Sequence, residues 1–193
     1  MWMRGLNGKW LVLSLIAVLL MGCARGNMLI DGPELQQWIA AGEANWRYEN
    51  AELVADGAGE GFLMTRSSYK DFRLNLEFWI DETTNSGVFV RCQDRANIHP
   101  ETCFEVNIWD NHPQQDARTG AIVLKVMPPL QNIVTVGRWN TMDITAEGQK
   151  LVVRVNSQIT ALMDRADTAP GFIALQHWEK GTVRFRNIQV LPI

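Results

Sequence analysis

Residues 85–110 read NSGVFVRCQDRANIHPETCFEVNIWD and contain the pattern on which the fold prediction rests. Two apolar segments flank a polar loop that contains Pro100, and Cys92 and Cys103 lie near the two ends of that loop. Successive side chains of a β-strand point to opposite faces of the sheet. The stretch therefore predicts two paired strands with one face in a hydrophobic core and the other face available for polar groups.

The strict alternation assigns each residue of this pair to a face. The apolar face is predicted to carry Val88, Val90, Cys92, Phe104, Val106 and Ile108. The opposite face is predicted to carry Gly87, Phe89, Arg91, Glu105, Asn107 and Trp109. A face with an acid, an amide, a cation and aromatic rings suits a sugar-binding cleft. The alternative is the solvated outer face of an ordinary β-sandwich.

The rest of the chain continues in short alternating segments. Phe72–Ile80 is the most regular of them, residues 119–126 form a further predicted strand, and a shift in apolar parity predicts a bulge near Arg186 and Asn187. One helix is predicted from Pro33 to a stop at Gly42. About a dozen strands with turn residues between them predict an all-β jelly-roll sandwich of two antiparallel sheets with this one short N-terminal helix.

Composition supports one soluble globular domain behind a secretion signal. The chain has 193 residues and a formal net charge of -3, without a run of basic residues, which argues against a nucleic-acid partner. Arg4 and Lys9 precede an apolar run that is too short to span a membrane, and the run ends in Leu-Met-Gly-Cys at residues 20–23. We therefore expect a signal peptide over residues 1–22, a tether over 23–27 and the folded domain over 28–193.

The tetrapeptide before the tether resembles a bacterial lipobox. This resemblance implies cleavage before Cys23 and lipidation of its thiol, with the protein anchored to a membrane of the cell envelope and facing the periplasm or the exterior. Two cysteines then remain in an oxidising compartment, where Cys92 and Cys103 are expected to form a disulfide; two unpaired buried thiols are the alternative.

Several segments, in this order and spacing, resemble the 3-keto-disaccharide hydrolase family. They are LIDG at 29–32 with Trp38, YKDF at 69–72, NSGVFVR at 85–91, FEVNIWD at 104–110, TGAI at 119–122, WNT at 139–141, ALQH at 174–177 and FRNI at 185–188. The resemblance covers nearly the whole chain after Cys23. It implies a concanavalin A-like lectin or glucanase fold, cleavage of glycosides that are oxidised at C3, and a possible divalent metal ion.

The chemistry implied by this resemblance needs a base and an electrophile. The ketone at C3 acidifies the C2 proton, so a base can remove it while a positive group holds the enolate oxygen. Arg91 is the candidate for the enolate oxygen, Glu105 or His177 for the base, and Asp110 for orienting His177, joining a metal or protonating the leaving oxygen. Asn85, Asn107, Trp109 and Gln176 are the candidate substrate-binding residues.

Each catalytic candidate has a structural alternative. Arg91 could simply pair with Glu105 across neighbouring strands, Asp110 could cap a turn, and His177 shares strand parity with apolar residues and could be a core histidine. The spacing of Glu105, Asn107 and Asp110 is similar to the E-x-D-x-x-E of laminarinase-like glycosidases, but its middle acid is an amide here, and a retaining glycosidase needs two carboxyl groups. The leading hypothesis is therefore cleavage of 3-keto-glycosides, with a lectin-like, non-catalytic glycan-binding lipoprotein as the alternative. The sequence does not indicate an oligomeric state.

Overall fold

The computed structural model describes residues 26–30, 32–126 and 133–193. The strands, in chain order, are β1 (Asn27–Met28), β2 (Trp38–Gly42), β3 (Asn45–Glu49), β4 (Glu52–Asp56), β5 (Gly61–Thr65), β6 (Phe72–Ile80), β7 (Asn85–Cys92), β8 (Phe104–Ile108), β9 (Asn140–Glu147), β10 (Lys150–Val155), β11 (Gln158–Met163), β12 (Phe172–Trp178) and β13 (Val183–Pro192). A single 3-10 turn, Gln115–Ala117, is the only helical element of the described residues. No helix in this part of the chain is long and apolar enough to cross a membrane.

The strands form two sheets that pack face to face. One sheet has the order β11-β10-β9-β6-β13-β4-β3, with β1 paired to β13, and the other has the order β2-β5-β12-β7-β8. All the pairings between these strands are antiparallel. The chain is thus an all-β jelly-roll sandwich, as its strand pattern predicts.

The core lies between the two sheets because each sheet turns one apolar face inward. In β6, alternate residues are buried and their neighbours are more exposed, with Phe72, Phe78 and Ile80 among the buried ones. Val88 and Val106 of the five-stranded sheet belong to the same cluster. Burial of apolar surface at about 25 cal/mol per Å² makes this layer the main source of stability.

A smaller apolar cluster lies on the other face of the five-stranded sheet, which we call the outer face. It comprises Met64, Phe89, Cys92, Cys103, Phe172 and Ala174. The loop between β7 and β8 covers it: Ile98 packs against the cluster, and the Arg95 guanidinium lies 4.4 Å from the ring centre of Phe172. Cys92 and Cys103 form the expected disulfide at the base of this loop. The loop therefore closes one end of the outer face and leaves the other end to polar residues.

The predicted N-terminal helix is wrong. Leu35 has a φ of +47°, outside the right-handed helical region, and residues 38–42 form β2, an edge strand that pairs with β5. Trp38 is buried, and its Nε1 donates a hydrogen bond to the Leu29 carbonyl at 2.6 Å. Pairing with β5 and burial of the Trp38 ring override the weak helical spacing of so short a segment.

The predicted strand over residues 119–126 is also wrong, whereas the predicted bulge in the last strand is confirmed. Gly120 and Leu124 have φ values of +86° and +61°, so the segment turns back on itself, and Ile122 makes only isolated bridges to Val106 and Val126. In β13 the register against β6 shifts between Arg186 and Gln189.

Candidate active site on the outer face

The polar end of the outer face is assembled by the register of three central strands. Gly87 of β7 lies opposite Asn107 of β8 on one side and opposite Gln176 of β12 on the other. Glu105 lies opposite Phe89, one pleat along the same face. Glu105 and Asn107, which the alternation assigns to this face, and the candidate binding residue Gln176 therefore surround one glycine.

Glu105 is the most perturbed acid of this site. Only 7% of the residue is exposed. Burial, and secondly the negative charge of Glu60, raise the pKa of the Glu105 carboxyl to about 7. A carboxyl group with this pKa can take up or release a proton near neutral pH, which is what a general acid or base requires.

Glu60 reaches the site from the turn that precedes β5. Its Oε1 accepts a hydrogen bond from Gln176 Nε2 at 3.4 Å, so the amide links Glu60 to the sheet. Burial raises the pKa of Glu60, while the hydrogen bond from Gln176 and the charge of His99 in the β7–β8 loop oppose this. Glu60 is thus held near Glu105 by Gln176, and its negative charge contributes to the raised pKa of Glu105.

Because Gly87 has no side chain, Glu105 and Gln176 both come close to the same point above its backbone. A Cβ atom at this position would lie 3.2 Å from Glu105 Oε1 and 3.4 Å from Gln176 Oε1. Both oxygens therefore lie next to the same small space above the glycine. Gln176 Oε1 is buried and has no hydrogen-bond partner among the residues that the structure describes.

Aromatic rings border this polar group. Phe62 lies opposite Gln176 in the register, and its ring meets Phe89 edge to face at 5.6 Å. Trp178, one pleat beyond Gln176 on β12, is 37% exposed and lies opposite Asn85. An exposed indole beside buried polar groups is suited to stacking against a sugar ring.

The structure does not bring Arg91 to this face, which corrects the assignment made from alternation. The register of β7 against β12 shifts between Phe172 and Ala174, and Arg91 has a φ of +54°, so a bulge reverses the parity at the end of β7. Cys92 joins the outer-face cluster in its place.

The buried Arg91 guanidinium is held by hydrogen bonds to three backbone carbonyl oxygens and one carboxylate. It donates to the carbonyl oxygens of Lys70, Asp167 and Gly148 at 3.0, 2.5 and 3.0 Å, and to Asp71 Oδ1 at 3.2 Å. The alternative pairing of Arg91 with Glu105 is not observed either. Arg91 therefore ties β7 to the start of β6 and to the turn between β9 and β10.

His177 is a core histidine. Its side chain follows the inward parity of Ile173 and Leu175, and the residue is completely buried. Its two ring nitrogens lie 3.2 Å from the Gly59 carbonyl oxygen and 3.1 Å from that of Gly181. The ring thus joins two loops, and its parity does not allow it to act with Glu105.

Asp110 is occupied by loop contacts. Its Oδ1 accepts hydrogen bonds from the hydroxyl groups of Thr119 and Thr135, each at 2.6 Å, and its Oδ2 accepts from the backbone nitrogens of Thr135 and Val136 at 2.6 and 3.2 Å. Asp110 therefore has the structural role of a cap, which was the alternative to a catalytic role. It caps the segment before β9 and not the turn next to it in sequence.

The remaining candidate binding residues differ in their availability. Asn107 lies at the site, but its Nδ2 donates to the Ala117 carbonyl and its Oδ1 accepts from Ile108 at 3.0 Å, so it holds the turn that follows β8. Trp109 contacts His112 edge to face at 4.4 Å, beyond the end of β8. Asn85 and Gln176 stay as predicted substrate-binding residues.

The sequence interpretation did not identify Glu60, Phe62 or Trp178 as residues of this site. It also did not predict that Gly87 lies between Glu105 and Gln176. Phe62 and Trp178 have the same parity as Met64 and Gln176 in their strands, so alternation alone offered a signal for both. Glu60 lies in a turn, where strand parity gives no signal. Among the described residues, no group of three or more His, Cys, Asp or Glu side chains is arranged to hold a metal ion.

The sequence of residues 27–191 matches the family described as 3-keto-alpha-glucoside-1,2-lyase-like domain. The chain belongs to this family. This is the family that the segments from residue 29 to residue 188 predict. No curated protein matches the chain significantly.

Solved structures with the same fold include proteins that are named as glycosyl hydrolases and domains that are named as carbohydrate-binding. A protein of Parabacteroides distasonis ATCC 8503, provisionally named a glycosyl hydrolase, is 26% identical with a TM-score of 0.72, over 86% of this chain and 98% of that one. The carbohydrate-binding module CBM66 from Bacillus subtilis is 14% identical with a TM-score of 0.63, over 80% of this chain and 95% of that one. The metal-free carbohydrate recognition domain of Emp46p is 12% identical with a TM-score of 0.59, over 88% and 96% of the two chains. The last two similarities show the fold alone, whereas the family and the Parabacteroides protein support a carbohydrate-related function.

Proposed function

We propose that this protein cleaves the glycosidic bond of 3-keto-glycosides, including 3-keto-disaccharides, on the outer face, with Glu105 as the base. The observation that carries the proposal is the Glu105 carboxyl, which is buried on the outer face beside Gly87 and Gln176 and has a pKa raised to about 7. Membership of a 3-keto-alpha-glucoside-1,2-lyase-like family supports the substrate class. The provisional hydrolase name of the Parabacteroides protein is consistent with it.

The reaction balances with one base. The Glu105 carboxylate takes the proton from C2, and the electron pair of the C2–H bond moves towards the C3 carbonyl to form an enolate. The enolate then expels the C1 substituent, which leaves with its bonding pair and takes up a proton, and a C1–C2 double bond remains. Water adds to C1, C2 regains a proton, and the product is the free 3-keto sugar.

Burial adjusts Glu105 to this task. A carboxylate with an ordinary pKa is a weak base towards a carbon acid, whereas one with a pKa near 7 is both partly ionised at neutral pH and a stronger proton acceptor. Correct placement of such a base contributes roughly 10² to 10⁴ in rate. The enolate oxygen needs a donor other than Arg91, whose hydrogen bonds are already made.

A glycan-binding module without turnover is the second candidate. Arg91, Asp110 and His177 are all engaged in structural contacts, which removes three of the four residues expected to do chemistry. CBM66, a carbohydrate-binding module, has the same fold. The remaining face of Glu105, Gln176 and Trp178 would then bind a sugar and release it unchanged.

Incubation of the domain that follows Cys23 with 3-keto-trehalose or a 3-keto-glucoside separates the two candidates. We expect release of free sugar by the wild type and loss of at least about 10²-fold in kcat for Glu105→Gln, which keeps the volume but cannot act as a base. Glu147→Gln, on an exposed residue of the other sheet, is the matched control. Binding of the sugar without release would favour the module, and a parallel series with a chelator tests for a divalent ion.

We also propose that the protein is held at the cell envelope by lipid on Cys23. Residues 1–25 lie outside the described part of the chain, so the proposal rests on the lipobox-like residues 20–23 and on the disulfide, which suits an oxidising compartment. Cys23→Ser should leave the protein soluble or unprocessed on cell fractionation. A processed variant that stays in the membrane fraction would contradict the lipobox interpretation.

A further inference from the structure

The amide oxygen of Gln176, Oε1, is a buried hydrogen-bond acceptor without a donor among the described residues. The residue is only 5% exposed, its Nε2 donates to Glu60, and its Oε1 has no hydrogen-bond partner within residues 26–30, 32–126 and 133–193. A buried acceptor without a donor lowers stability by about as much as a hydrogen bond contributes. Such an atom is retained where a ligand supplies the missing donor, and hydroxyl groups of a sugar are donors of this kind.

The surroundings of this oxygen define what can reach it. The space above Gly87 adjoins Gln176 Oε1 and also Glu105 Oε1, as the distances of 3.4 and 3.2 Å from a Cβ placed there indicate. When Glu105 is ionised, both oxygens are acceptors only, and the group that fits between them is a donor. Even a single methyl group at position 87 would be in tight contact with Glu105 Oε1.

We infer that Gly87 and Gln176 form a subsite for the C2 hydroxyl group of the sugar, which makes this hydroxyl a specificity determinant. The inference rests on the proposed function in one respect, namely that Glu105 approaches C2. The hydroxyl group on C2 is then the substituent nearest to Glu105, and its proton points to Gln176 Oε1. The hydrogen bond places the C2–H bond towards the Glu105 carboxylate.

The substrate test compares a 3-keto-glucoside with its 2-deoxy analogue. Both have a proton on C2 next to the ketone, so both can undergo the elimination, and they differ only in the hydroxyl group. We expect wild-type kcat/KM to favour the hydroxylated substrate by about 10- to 100-fold, the value of satisfying one buried acceptor. In Gln176→Met, which keeps the volume without the amide, the ratio should fall by that same factor, and this comparison cancels the intrinsic reactivity of the two sugars.

A second experiment measures binding alone and does not depend on turnover. Methyl glucoside and methyl 2-deoxyglucoside lack the ketone, and their affinities for the wild type and for Gln176→Met are measured by NMR titration. We expect the wild type alone to prefer methyl glucoside. Gln158→Met, on an exposed residue of β11 in the other sheet, is the matched control.

Gly87→Ala is a second variant that leaves the amide in place. The backbone of Gly87 is not in the left-handed region, and the added methyl group enters the space beside the two oxygens, so we expect a folded protein with at least about 10-fold weaker binding of methyl glucoside. Equal preference for the hydroxyl group in the wild type and Gln176→Met, or no binding of either methyl sugar to the wild type, would overturn the subsite. Selective binding without turnover of any 3-keto-glycoside would support the subsite and count against the proposed reaction.

Discussion

The raised pKa of Glu105 makes the stability of the protein depend on pH in a way that needs no assumption about function. Burial and the charge of Glu60 raise this pKa from 4.5 to about 7 on folding. The unfolded chain therefore loses the Glu105 proton above about pH 4.5, whereas the folded chain keeps it until about pH 7. Between these values, ionisation favours the unfolded state, so the contribution of Glu105 to stability falls as the pH rises and is fully lost above pH 7.

The magnitude follows from the size of the shift. Each unit of pKa difference corresponds to about 1.36 kcal/mol, so the shift of Glu105 amounts to roughly 3 kcal/mol. Glu105→Gln removes the titration and keeps an uncharged side chain of the same shape. The free energy of unfolding of the wild type should therefore fall, relative to that of the variant, by roughly 3 kcal/mol between pH 4 and pH 8.

Urea unfolding of both proteins at several pH values provides the measurement. Glu147→Gln, an exposed residue at the end of β9, is the control for removal of one carboxylate. A difference between wild type and Glu105→Gln that stays constant from pH 4 to pH 8 would refute the argument, as would a difference that grows in the opposite direction. Either result would also remove the main support for Glu105 as a base at neutral pH.

Three further predictions concern the structural residues. Arg91→Met should lower the free energy of unfolding by about 3 to 5 kcal/mol, because it removes the buried ion pair with Asp71 and leaves three carbonyl oxygens without the Arg91 donor. Exposed Arg73→Met is the control, and an equal effect of the two substitutions would mean that the Arg91 contacts contribute little. Joint replacement of Cys92 and Cys103 by Ser should lower the free energy of unfolding by roughly 3 kcal/mol, because the unfolded chain is no longer constrained by the disulfide. If mass spectrometry finds both thiols of the wild type open to alkylation, the disulfide is not formed. Asp110→Ala should lower the free energy of unfolding by about 1 to 3 kcal/mol by leaving backbone nitrogens before β9 unpaired, and thermal denaturation that detects no change would contradict this role.

The sequence by itself determined the features that depend on local periodicity. The alternation in Phe72–Ile80 and in residues 104–108 predicted strands and the faces of Phe104, Glu105 and Asn107, because a side chain in a regular strand has only two directions. The loop between Cys92 and Cys103 is short enough for their pairing to be expected from spacing and compartment alone. The order of family-like segments along the chain likewise predicted the family.

Only the tertiary structure decided which residues share the site. One bulge at the end of β7 turned Arg91 away from Glu105, because an extra residue in a strand reverses the parity of everything that follows. The strand order β2-β5-β12-β7-β8 brought Glu60 and Gln176 to Glu105 from distant parts of the chain. Strand order and register arise from how two sheets bury their apolar faces against each other, and no local pattern of side chains specifies that arrangement.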